Sequence, residues 1–270
     1  MRIGLIGDIV GRPGRAAVRR FLPGLRQSEG LDFVVANYEN ASHGFGLTEK
    51  NAKELFGAGI DLMTGGNHTW DKKEIRPLLE AMPLLRPANY PDGVPGRGVK
   101  VARVGKTPLA VISLMGYYGM PMVDNPFLVA KRIVADLKAE GVAHIVIDFH
   151  AEATSEKRGL LMMLKSDVSA IFGTHTHVGT DDLTIDGGCM YVTDVGLTGC
   201  RDNVIGMDAK VPVERFLTGL PGRFEVPAKC RTILQMAVVE LNSRGRAVEA
   251  CKVRVFDDGT VLRQEAWREE

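Results

Sequence analysis

Short runs of consecutive apolar residues alternate with amphipathic stretches along the first two-thirds of the chain. The runs predict strands at residues 3–6, 33–36, 62–64, 109–114, 145–149 and 169–172. They are rich in Val, Ile and Leu and often apolar at successive positions, as strands covered on both faces should be. Between them, apolar residues at helical spacing predict helices at 14–27, 48–56, 72–80 and 125–139. Ala17, Val18, Phe21 and Leu22 form the apolar stripe of the first. Thr48 is placed to cap the second, and Pro126 suits the first turn of the fourth. Residues 88–105 read as a Pro/Gly-rich loop leading into a half-exposed strand that alternates from Val99 to Val104. After Val178 the pattern changes to strands and turns, with apolar runs at 189–193, 234–241 and 250–256. Such alternation predicts an α/β fold, a layered α/β sandwich. No repeat or low-complexity linker divides the chain, so residues 1–270 are expected to form one domain with a β-rich C-terminal third.

Composition narrows the function classes. Of the 270 residues 45% are hydrophobic and 25% charged, and a formal net charge of +1 argues against a broad nucleic-acid or membrane footprint while leaving a local basic patch open. The N-terminal apolar stretch is too short for a signal or membrane span and is interrupted by Asp8. Cys189, Cys200, Cys230 and Cys251 show no metal-knuckle spacing and suggest no disulfide framework, so a reduced, cytoplasmic protein is expected.

Candidate chemistry sits where the apolar runs end. Asp8 follows the first run, Glu39-Asn40 the second, Asn67-His68 the third and His150 the fifth; His175 and His177 follow the sixth. In open α/β sheets ligands bind beyond the carboxyl ends of the strands. Oxygen and imidazole groups gathered there suit hard or borderline divalent metals. Taken singly, most have an ordinary alternative: Asp8 as a helix cap, Glu39-Asn40 as an exposed loop, His150 as a satisfied buried imidazole. The blocks Gly65-Gly66-Asn67-His68 and Gly173-Thr174-His175-Thr176-His177 are more specific, because each follows a buried run and carries glycine that leaves room for a ligand. Asp148, Glu152 and Glu156 are candidate acceptors that fix the His150 tautomer. His144 reads as exposed structure. Arg12-Pro13-Gly14-Arg15 with Arg19-Arg20 could attract phosphate, although helix charges usually face solvent; Arg12 alone is retained as a substrate contact, together with His43. There is no Gly-x-Gly-x-x-Gly fingerprint and no Walker lysine, which excludes the common nucleotide folds.

In order and type, these residues resemble the calcineurin-like metallophosphoesterase superfamily, and their departures from its pattern resemble the YmdB-type branch of bacterial cyclic-nucleotide phosphodiesterases. The carrying blocks are Gly-Asp-Ile-Val-Gly (7–11), Glu-Asn-Ala (39–41), Gly-Phe-Gly-Leu-Thr (44–48), Gly-Asn-His-Thr-Trp-Asp (66–71), Asp-Phe-His-Ala-Glu (148–152) and Gly-Thr-His-Thr-His-Val (173–178). Thr193-Asp194-Val195-Gly196 is a weaker match. The resemblance implies mixed sheets flanked by helices and two divalent metals, iron or manganese with zinc as an alternative. One metal would take Asp8, Glu39, Asn40 and His177; the other Glu39, Asn67, His150 and His175, with Glu39 bridging. It further implies hydrolysis of 2′,3′-cyclic nucleotides to 3′-nucleotides by a water shared between the metals, with His68 as proton donor. The implied partner is a cyclic nucleotide or an RNA-derived phosphodiester, not a membrane; a homo-oligomer is compatible with the sequence. Two other readings stand beside this one: a metal-dependent phosphomonoesterase or nucleotidase, and a nucleotide- or RNA-binding regulator with weak turnover.

Overall fold

The computed structural model describes residues 1–269. Its first units are parallel strands joined by helices: β1 (Arg2–Asp8), α1 (Gly11–Ser28), β2 (Phe33–Asn37), α2 (Glu49–Gly57), β3 (Leu62–Thr64), α3 (Ile75–Ala81) and β4 (Leu84–Leu85). A second series follows, β5 (Val99–Val104), β6 (Thr107–Met115), α4 (Pro126–Ala139), β7 (His144–His150), α5 (Thr154–Leu164) and β8 (Ala170–Thr174). The chain ends with β9 (Thr184–Asp186), β10 (Cys189–Val192), β11 (Gly199–Cys200), α6 (Lys210–Thr218), β12 (Thr232–Leu241), β13 (Ala247–Phe256), β14 (Val261–Glu265) and β15 (Trp267–Glu269).

These strands make two mixed sheets. One runs β14-β13-β12-β1-β2-β3-β4, with β11 paired to β12; the other runs β15-β9-β10-β8-β7-β6-β5. The centre of each is parallel, because β1–β3 and β6–β8 are linked through crossover helices. Ile3, Leu5, Val35 and Leu62 of the first sheet meet Leu109, Val111, Val146 and Phe172 of the second in a shared core. Helices α1–α3 cover the outer face of the first sheet, and α4 and α5 cover that of the second. The expected layered sandwich is therefore α/β/β/α. Its parallel strands are apolar at successive positions because both of their faces are buried.

Local expectations are met closely at the strands and two of the helix starts. Thr48 accepts from Asn51 N–H at the start of α2, and Asn125 accepts from Phe127 and Leu128 at the start of α4, where Pro126 occupies the first turn. The third helix starts at Ile75, not Lys72, since turns centred on the Gly66–Asp71 block hold the chain until then.

Two helices were not expected. α5 escapes a reading by periodicity because its buried face includes Glu156 and Lys157. α6 buries only Pro212 and leaves Phe216 and Leu217 exposed, so it interrupts the β-rich third without an apolar face turned to the core.

Two further expectations are corrected. Cys200 and Cys230 form a disulfide, with Cα atoms 5.7 Å apart, although nothing in their spacing signals it. His144 is buried, not exposed, its Nε2 2.9 Å from the carbonyl of Asn242.

Candidate metal centre

The parallel connections bring the carboxyl ends of β1, β2, β3, β7 and β8 to one edge of the sandwich. Asp8, His150 and Thr174 end their strands, while Glu39, Asn67 and His175 lie one to three residues beyond theirs. His150 Nε2 lies 2.9 Å from Asn67 Oδ1, 3.0 Å from Glu39 Oε1 and 3.1 Å from His175 Nδ1. Ligand atoms of Glu39, His150 and His175 all fall within 4.8 Å of one another. A second group adjoins it: His177 Nε2 is 3.3 Å from Asn40 Oδ1 and 3.8 Å from Asp8 Oδ1. All seven residues expected as ligands are thus brought together, with Glu39 and Asp8 between the two imidazole groups.

The outward nitrogen of each imidazole is held by an acceptor. Thr174 Oγ1 donates to Asp148 Oδ1 at 2.7 Å, so toward His150 Nδ1, 2.9 Å away, it can only accept. His175 Nε2 lies 3.0 Å from Glu152 Oε2, and His177 Nδ1 lies 2.7 Å from the carbonyl oxygen of Ile205. Protons on these three outward nitrogens leave three lone pairs facing the site. Asn40 is oriented in the same sense, its amide Nδ2 donating to Gly44 O at 2.8 Å and its Oδ1 facing His177. The expected acceptors around His150 are redistributed: Asp148 acts through Thr174, Glu152 serves His175, and Glu156 accepts from the N–H groups of Tyr117 and Tyr118.

This arrangement concentrates lone pairs and buried carboxyl groups in one place. Asp8 Oδ2 accepts from the backbone N–H of His175 at 3.1 Å, but its buried Oδ1 has no hydrogen-bond partner among the described residues. Burial raises the Asp8 carboxyl above its usual range and drives that of Glu39 up to about 7. Burial also pushes His150 down to about 3 and His175 down to about 2, so both imidazoles are neutral at pH 7. Neutral imidazoles, an orphaned carboxylate oxygen and inward amide oxygens are the donor set of a divalent cation site. The residues fit such ions.

The backbone is built around the site. His175 and His177 adopt φ of 99° and 64°, the left-handed region that non-glycine residues seldom enter. A buried clamp holds them there. Asp194 accepts from Thr176 N and Oγ1 at 3.1 and 2.9 Å and from Lys157 Nζ at 3.0 Å, while Lys157 also donates to Thr174 O at 2.9 Å. Gly66 is required for close approach, since a β-carbon there would strike Glu39 and the His150 ring.

His68 lies apart from the ligand groups. Its N–H donates to Glu39 Oε2 at 3.1 Å, and its Nδ1 is 2.9 Å from Asp71 Oδ2, which leaves Nε2 to face the opening. The ring is partly exposed and meets Phe45 edge-on at 5.0 Å. It borders a cavity of about 200 Å³ whose other walls include Glu39, His175, His177, Ile205, Met207 and Phe224. A larger groove of about 960 Å³ continues past His68 and Phe45 toward Arg12 and His43. The two candidate substrate residues therefore line the approach to the site and not its interior. Arg12 donates across the groove to Ala228 O at 3.0 Å. Tyr117 and Tyr118 lie on another loop.

Sequence reasoning missed the far wall, residues 204–228, where Ile205, Phe216 and Phe224 belong to the disulfide-closed segment. No motif marks it. The roles of Asp71 and Thr174 were accessible in principle, since both stand inside the blocks that drew attention to the site.

The family described as YmdB-like protein matches residues 5–253. The chain is 44% identical to the 2′,3′-cyclic-nucleotide 2′-phosphodiesterase of Bacillus subtilis over 96% of its length and 98% of that protein's. A solved structure of a phosphatase from Mycoplasma pneumoniae superposes with a TM-score of 0.89 at 32% identity, covering 95% of this chain and 93% of the other. The 5′-nucleotidase precursor of Thermus thermophilus shares the fold at a TM-score of 0.55 and 13% identity, over 99% of this chain and 54% of its own.

Proposed function

The chain belongs to the YmdB-like protein family, and from that premise we propose that it is a metal-dependent phosphodiesterase opening 2′,3′-cyclic nucleotides to 3′-nucleotides. The observation that carries the reading is the convergence of carboxyl, amide and imidazole donors at the sheet edge. Asp8, Glu39, Asn40 and His177 would hold one divalent ion, and Glu39, Asn67, His150 and His175 the other, with Glu39 shared. Bound there, the ions would neutralise phosphoryl charge and acidify an attacking water.

The chain's own groups supply the rest. His68 presents Nε2 to the site mouth while Asp71 holds a proton on Nδ1. In that position it donates a proton to the departing 2′-oxygen, whose release leaves the phosphate on the 3′-oxygen. Asp71 thereby fixes the ring orientation in which Nε2 faces the departing oxygen. The apolar wall of Ile205, Met207 and Phe224 faces His68 across the inner cavity and offers a surface for ribose and base. Burial of Asp8, Glu39 and His150 keeps bulk water from competing for the reacting phosphate.

The reading is tested with manganese-supplemented protein against 2′,3′-cyclic AMP and the monoesters 3′-AMP and 5′-AMP, with products separated by chromatography. The expected outcome is 3′-AMP from the cyclic substrate and much slower release of inorganic phosphate from the monoesters. Preferential monoester cleavage would replace it with the nucleotidase reading. Tight nucleotide binding without any product would replace it with the regulator reading.

A further inference from the structure

Basic residues surround the approach to the site in numbers that a mononucleotide does not use. A 2′,3′-cyclic mononucleotide carries a single phosphodiester charge, and the proposed ions already neutralise it. Yet the groove of about 960 Å³ that shares His68, Phe45 and Phe224 with the inner cavity is lined by Arg12, Lys72, Arg215 and Arg223. A further cavity of about 320 Å³ shares Arg12, Pro13 and Ala228 with that groove and adds Arg19, Arg20 and Lys229. Among the described residues, Glu225, 4.0 Å from Arg223, is the one carboxylate lining the groove, and none lines the further cavity. Arg15 and Arg19 are engaged by Glu54, whereas Arg12, Arg20, Lys72, Arg215 and Lys229 have no carboxylate within ion-pair distance among the described residues. Aromatic rings interleave with them: Phe45 and Phe224 beside the inner cavity, the latter with Arg215 over its ring at 5.6 Å, and beyond Arg12 Phe21, with Arg20 over its ring at 4.7 Å. Cations tracking a backbone with aromatic rings between them make up a single-strand nucleic-acid groove.

We propose that this track binds the chain of an oligoribonucleotide whose 2′,3′-cyclic phosphate end sits in the metal centre, so that RNA ends are the substrate class of the enzyme. The inference rests on the phosphodiesterase reading for its chemistry. The terminal nucleotide occupies the inner cavity, and preceding phosphates run past Lys72 and Arg215 to Arg12, Arg20 and Lys229. The Arg12–Arg20 run at the start of α1 thereby gains a role that facing solvent would not give it.

The test compares 2′,3′-cyclic AMP with a hexaribonucleotide ending in a 2′,3′-cyclic phosphate, using manganese-loaded wild type and an Arg20→Gln/Lys229→Gln variant. Neither residue lines the groove or the inner cavity that His68 borders. The hexamer is expected to have the lower KM, and that KM should rise about five- to twentyfold between about 50 and 200 mM salt if two or three phosphates are contacted. The variant should lose most of this advantage while its mononucleotide kinetics stay within about twofold. Equal KM values for the two substrates would overturn the inference, as would equal gain by a mononucleotide bearing a 5′-phosphate. Salt dependence in the wild type decides the matter even if the variant does not fold. Should neither substrate turn over, the phosphodiesterase reading fails. Fluorescence anisotropy of the labelled hexamer then judges the track alone: salt-sensitive binding supports it, and no binding overturns it.

Discussion

At the scale of single residues, the pair Asn67-His68 shows how neighbouring side chains divide the labour of a site. Asn67 turns its oxygen toward the ligand group at 2.9 Å from His150, while His68 faces the opening and is held by Asp71. If His68 is the proton donor, His68→Ala should keep its full metal content and lose at least about 10²-fold in turnover, the range of general acid–base catalysis. Steady-state kinetics with metal analysis of the same sample check this, and undiminished turnover would remove His68 from the mechanism. The residues gathered at this candidate site were legible in the sequence because each follows a buried apolar run. The tautomer of each imidazole was not. It depends on Thr174, Glu152 and the carbonyl of Ile205, each joined to its histidine only by the tertiary fold.

At the scale of elements, the contrast lies between strands and the segment bridged by Cys200 and Cys230. Strands β1, β2, β3, β7 and β8 announce themselves because burial on both faces imposes a composition on successive residues. The 200–230 segment carries no such imprint, since α6 leaves most of its apolar side chains exposed. Its position is set instead by the disulfide, by β11 pairing with β12 and by Ile205 bonding to His177. The bridge closes a loop of 30 residues, so reducing it should lower unfolding free energy by about 2–4 kcal/mol. Denaturant titrations with and without dithiothreitol measure this, and coincident curves would show that the wall is held without the bridge. α5 was hidden for a different reason. Its buried Glu156 and Lys157 serve the neighbouring loop and the His-x-His turn, so function overwrites the amphipathic pattern.

At the scale of the molecule, two sheets sharing one core bring five strand ends to a common edge, a convergence that the alternating pattern implied but did not locate. Pairing order across the sheets, with β1 beside β12 and β8 beside β10, links residues far apart in sequence and has no local signature. What this architecture achieves is rigidity around a costly arrangement: a buried orphan oxygen on Asp8, two histidines at positive φ, and neutral imidazoles pressed together. Without cations, little in the site offsets that cost. The most direct measurement is therefore the metal content of the purified protein, before and after reconstitution with manganese or iron. The proposed function calls for about two ions per chain, the stoichiometry of a two-metal phosphoryl-transfer site. Failure to retain any stoichiometric metal after reconstitution would contradict the assignment of this sheet edge as a metal centre.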